Sequence, residues 1–107
     1  MPLFKKGVKT LIRTETQNKI CKKAVKTYGE HSQMIKCIEE CSELQRAISR
    51  VIINQPIDGR EPSWNFNEEL ADLEIMLQQM KCTSYFDKEK FDTWKEIKLK
   101  KLEEKIS

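Results

Sequence analysis

The stretch "MIKCIEECSELQRAISRVII", Met34 to Ile53, decides the fold class. Advanced by about 100° per residue, Met34, Ile38, Cys41, Leu44, Ile48, Val51 and Ile52 fall on one side. That periodicity is helical and excludes a strand. A helix is therefore expected from about His31 to Ile53, its apolar sector centred near Ile38 and Ile48. Glu40 falls at the edge of the sector, near the direction of Leu44 and Val51, and Glu43 lies about 60° further round on the same side. Glu39 points to solvent.

A second stretch, "NEELADLEIML", Asn67 to Leu77, repeats the arrangement. It belongs to a helix expected from near Asn65 to about Lys81, with Phe66, Leu70, Leu73, Met76, Leu77 and Met80 on one side. Asn65 and Glu68 have the spacing of a capping box. Glu69 falls inside the apolar sector, about 40° from Leu73 and nearly in line with Met76 and Met80, and Asp72 flanks it by about 60° more. Glu68 is further out, and Glu74 is on the other side.

Outward from these two, a first helix is expected from about Glu15 to Thr27, stopped by Tyr28-Gly29. "NQPIDGREPS", Asn54 to Ser63, is a loop marked by Pro56, Gly59 and Pro62. Asp87 can cap a fourth helix reaching about Lys105, with Phe91, Trp94, Ile97 or Lys98, and Lys101 or Leu102 at helical spacing. The division expected is an N-terminal arm, 1–14, and one all-α domain, 15–107. A chain of 107 residues builds only a modest core, so burial through self-association is expected.

Composition agrees: 35% charged and 38% hydrophobic residues with only 3 Gly and 3 Pro suit a helical protein. No run approaches the ~18 apolar residues of a membrane span. The N-terminal "MPLFKKGVKTLIRTETQ" lacks the apolar stretch and cleavage site of a secretory signal. A net charge of +3 is too small to point to nucleic acid, and the Lys-rich last helix is interleaved with Glu89, Asp92, Glu96, Glu103 and Glu104, as in a solvated face. The 4 cysteines form no CxxC pair and His31 is the single histidine, which argues against zinc and for reduced thiols in a cytoplasmic protein.

Acidic pairs at i, i+3 beside apolar residues on consecutive helices need an explanation, since an unpartnered buried carboxylate costs several kcal/mol or protonates. One explanation is ordinary ion pairing: Lys36 can reach Glu40 and Arg46 can reach Glu43 along the helix. The other is a cation held between two antiparallel helices. Oxygen donors without His or Cys select Mg²⁺ or Mn²⁺, and Mg²⁺ completes its shell with water and substrate phosphates. A di-iron bundle needs Glu-x-x-His motifs, which are missing here.

"EECSE" followed by "EELAD" resembles the EExxE…ExxD signature of MazG-like nucleotide pyrophosphohydrolases, the all-α NTP pyrophosphatase superfamily. The wider text, from about Gln33 to Ile106, is similar to the short single-domain form found in phages and Gram-positive bacteria. The resemblance implies a four-helix bundle completed by a homodimer or homotetramer. It also implies Mg²⁺-dependent cleavage of a nucleoside triphosphate to the monophosphate and pyrophosphate, with Mn²⁺ able to substitute. Carried over, the metal ligands are Glu40, Glu43, Glu69 and Asp72, with Glu39 in an outer or structural role. Glu43 is the expected proton acceptor for the attacking water. Some relatives carry Asn where Gln79 stands, near sugar or phosphate, and basic residues late in the last helix, here Lys98 and Lys101, contact phosphates in others. The alternative is a non-catalytic helical module that binds nucleotide or protein.

Trp64, just before the third helix, is expected to be a hydrophobic staple rather than a base-stacking residue. Trp94 is expected in the core or a dimer interface, Gln33 and His31 in capping or surface roles, and Met34, Met76 and Met80 in the core.

Overall fold

The computed structural model describes residues 11–54, 56 and 58–107. It is all-α: α1 Thr14–Tyr28, α2 Glu30–Ile53, α3 Phe66–Met80 and α4 Lys88–Ile106, with no strand among the described residues. Most of the expected N-terminal arm, residues 1–10, lies outside the described residues. Helix ends fall where the local chemistry puts them. The Asp87 carboxylate accepts from the Lys90 N–H at 3.0 Å and opens α4. Gly29, at φ 91° and ψ 148°, ends α1 and begins α2 in one residue. That conformation is open to glycine and strained for any side chain, which is why a 15-residue and a 24-residue helix can be joined so abruptly.

α2 packs along α3, and α1 covers both. The buried residues are Cys21 and Val25 of α1, Cys37, Leu44 and Ala47 of α2, and Met76 and Gln79 of α3. Their spacing on α2 places the packed face about 100° away from the expected sector centre. Ile38 is 66% exposed and Ile52 75% exposed, whereas Ala47 is fully buried. α2 therefore has two apolar faces. The one lined by small side chains meets α3, because Cys37 and Ala47 allow close approach, and the Ile-rich one faces outward.

Polar ties close the ends. Gln33 donates to Gln79 Oε1 at 2.7 Å across the α2–α3 interface. The backbone N–H and hydroxyl of Ser84 donate to the Glu30 carboxylate, and His31 Nε2 lies 3.2 Å from the Tyr85 hydroxyl. These bonds pin the α3–α4 connection to the start of α2 and give His31 a surface role.

α4 departs from the expected bundle: beyond its first turn it does not pack along α1, α2 or α3, and every one of its residues is exposed. The Cα radius of gyration is accordingly 17.1 Å, against the roughly 13 Å of a compact chain of this length. Phe91, in its first turn, touches Phe86 (ring centroids 5.5 Å apart) and helps line a groove of about 690 Å³ with Met34, Leu77, Met80 and Tyr85. Beyond that turn Trp94, Leu99 and Leu102 are each more than half exposed. Trp94 is thus not in the core of this chain. Its sequence pattern could not reveal this, since an apolar stripe records that a face wants burial and not which neighbour buries it.

Candidate functional site

Glu40, Glu69 and Asp72 converge between α2 and α3. One oxygen from each lies within 4.8 Å of the other two, and all three residues are half-buried. Glu40 comes from the packed face of α2, between Cys37 and Leu44, so it sits further inside than the sector edge expected for it. Glu69 and Asp72, one turn apart on α3, share the side that carries buried Met76.

Charge compensation inside the cluster is slight. Lys36 Nζ approaches Glu40 at 3.8 Å, with half of the Lys36 side chain exposed, and also reaches Glu39 at 4.0 Å. Glu69 and Asp72 form no ion pair among the described residues. Burial first, then the neighbouring carboxylates of Asp72, Glu43, Glu40 and Glu68, push the Glu69 pKa above its ordinary 4.5. The fold thus holds Glu69 where its negative charge is disfavoured.

Glu43 stands apart from this three-oxygen group. It is half exposed and pairs with Arg46 at 3.9 Å, the helix-surface pair its spacing allowed. Its charge is still near enough to act on Glu69. Gln79 is buried on the same side of α3 two turns beyond Asp72, with Gln33 donating to its oxygen and its own amide nitrogen 3.5 Å from Met76 Sδ. Lys98 and Lys101 lie on α4, and within one chain they are not brought to the carboxylates. Lys98 Nζ rests 5.8 Å from the centre of the Trp94 ring.

No protein-family model, curated protein or solved structure matches the chain.

Next to the cluster, Arg50 escaped the sequence reading, and Asn65 and Trp64 take partners other than those expected of them. Arg50 donates from Nη2 to Asn65 Oδ1 at 2.6 Å, and Asn65 Nδ2 lies 3.5 Å from Glu69 Oε1. Trp64 lies under two guanidinium groups, Arg60 at 4.3 Å and Arg50 at 5.8 Å from the ring centre. A staple would pair Trp64 with the fourth residue of α3, but that residue is Glu69, so the ring packs on arginines instead. Asn65 is the N-cap residue of α3, yet its side chain makes no capping bond. Only the cap spacing was visible in the sequence; nothing local announces that Arg50, fifteen residues earlier, would take the amide.

The cysteines are all free thiols. Burial raises the pKa of Cys21 and Cys37, with Cys82 adding to the first and Cys41 and Glu40 to the second, so both are poor nucleophiles. No helix among the described residues is long and apolar enough to cross a membrane.

Proposed function

We propose that this chain is a Mg²⁺-dependent nucleoside triphosphate pyrophosphohydrolase that works as a homo-oligomer in the cytoplasm. The observation that carries the reading is the convergence of Glu40, Glu69 and Asp72 from two facing helices, with one oxygen of each inside 4.8 Å. An all-carboxylate donor set fits a hard divalent cation, Mg²⁺ or Mn²⁺. Those three residues would hold it. The bound cation would supply positive charge against the triphosphate and acidify water.

The remaining steps belong to the chain. Glu43, exposed beside the cluster and paired only with the exposed Arg46, is assigned to accept a proton from the attacking water. Glu69, whose charge is disfavoured in the isolated site, gains most when positive charge arrives. Cleavage between the α- and β-phosphates leaves a monophosphate and pyrophosphate. The cations that offset charge on the leaving group are assigned to Lys98 and Lys101. Because α4 lies away from the carboxylates of its own chain, these lysines would act on the site of a second copy. The exposed apolar residues of α4 and the open groove at its base support that assembly. Gln79 is proposed to contribute near the sugar or phosphate once the pair with Gln33 opens.

The non-catalytic helical module, binding nucleotide or protein, is favoured by one observation: within one chain no α4 lysine meets the carboxylates. A panel of canonical and damaged ribo- and deoxynucleoside triphosphates, assayed with Mg²⁺ and with Mn²⁺, separates the two. Pyrophosphate release that EDTA stops and that Asp72→Asn abolishes supports the enzyme. No release from any triphosphate with either metal supports the module, and release of inorganic phosphate discards α–β cleavage.

A further inference from the structure

Asn65 is buried, 7% exposed, at the N-cap of α3, and its side chain caps nothing. An N-cap asparagine ordinarily accepts from an N–H of the first turn and adds about 1 kcal/mol of stability. Here Oδ1 is taken by Arg50 Nη2 at 2.6 Å. A guanidinium has donors only, so the amide oxygen must be the atom that faces it. The NH₂ group is thereby left facing Glu69, whose Oε1 is 3.5 Å from Nδ2.

Arg50 is itself held in place. Its guanidinium lies 5.8 Å from the Trp64 ring centre, and its Nε is buried with no hydrogen-bond partner among the described residues. Within one contact of Glu69 the chain therefore gives up a helix cap and leaves a buried donor unpaired. Such departures from local stability concentrate where a side chain has another task.

We infer that Arg50 and Asn65 form a positioning relay that fixes the rotation of the Glu69 carboxylate within the three-oxygen group. The inference rests on the divalent-cation reading of Glu40, Glu69 and Asp72. The interposed amide is what makes the relay compatible with a cation. A guanidinium in direct contact would neutralise Glu69 and compete with the metal, whereas a neutral donor orients one oxygen and leaves the charge intact. The relay also ties the last turn of α2 to the first residue before α3, so the two helices that supply the ligands are locked together beside them.

The test is Mn²⁺ binding by calorimetry without nucleotide, together with urea midpoints in EDTA, for the wild type, Asn65→Ser and Arg50→Lys. Serine is a good N-cap but too short to bridge Arg50 and Glu69. Lysine keeps the charge of Arg50 and loses its planar fork. Asn65→Ser is expected to bind Mn²⁺ about 10- to 100-fold more weakly, the usual cost of losing an orienting partner, with a urea midpoint unchanged or higher. Arg50→Lys is expected to lose affinity by a smaller factor. A pair that serves only folding would do the reverse, lowering the midpoints and leaving Mn²⁺ affinity unchanged. Wild-type affinity in a folded Asn65→Ser overturns the relay and leaves the cation site standing. Absence of Mn²⁺ binding by the wild type overturns the cation site, and the relay with it. Should Asn65→Ser fail to fold, Arg50→Lys decides by the same comparison.

Discussion

Replacing Glu69 by glutamine should stabilise the metal-free protein while removing its response to metal. Glutamine has nearly the shape of glutamate, so packing beside Met76 changes little. What changes is charge. Glu69 lies within 4.8 Å, oxygen to oxygen, of both Asp72 and Glu40. At that distance a like-charge pair costs about 0.9 kcal/mol in water and about 3.5 kcal/mol at an effective dielectric constant of 20. The cluster opens to solvent, which favours the low end, and Lys36 already offsets part of the Glu40 charge. A gain of about 1–2 kcal/mol in EDTA at neutral pH is expected for Glu69→Gln.

The pH dependence has a definite sign. The pKa of Glu69 is raised in the folded state, so the group favours folding when protonated. That contribution is fully present below its ordinary 4.5 and is lost as pH rises through the elevated folded value. The advantage of Glu69→Gln should therefore be near zero at the acid end, grow above pH 4.5 and then level off. Urea denaturation followed by circular dichroism, at a series of pH values in EDTA, measures it. Mn²⁺ should reverse the order: at a hundred times its dissociation constant it adds about 2.7 kcal/mol to the wild type and much less to the variant. A variant less stable than the wild type in EDTA at pH 7.5 would refute the reasoning, because it would mean the Glu69 charge is already compensated within the fold.

Two further outcomes are expected. Gly29→Ala should cost about 1–3 kcal/mol, because the φ of 91° at the α1–α2 joint strains any Cβ although there is open space around it; an unchanged urea midpoint would show that the joint relaxes. Trp94→Asp should change the unfolding free energy of the isolated chain by no more than about 0.5 kcal/mol, since no α4 residue is buried there. It should also lower the molar mass seen by light scattering, and an assembly that persists unchanged would remove α4 from the interface.

The elements themselves were legible from local chemistry. Gly29, Asp87 and the break at Pro56 to Pro62 each act within a few residues, so the four helices begin and end within one or two positions of where the pattern puts them. The inward position of Glu69 was also legible, because it shares an apolar side of the α3 wheel with Met76, although Leu70 and Leu77 of that side are 42% and 49% exposed. α2 has two such sides. Periodicity ranks neither, and the choice fell to the face where Cys37 and Ala47 let another helix approach, which carried Glu40 inward and left Glu43 and Ile38 outside. The diversion of Asn65 from capping to Arg50, and the stand-off of α4 with its lysines, were decided by contacts between segments far apart in sequence. A hydrogen-bond donor fifteen residues away, or an apolar neighbour that none of the described residues supplies, leaves no mark in the spacing of the residues that respond to it.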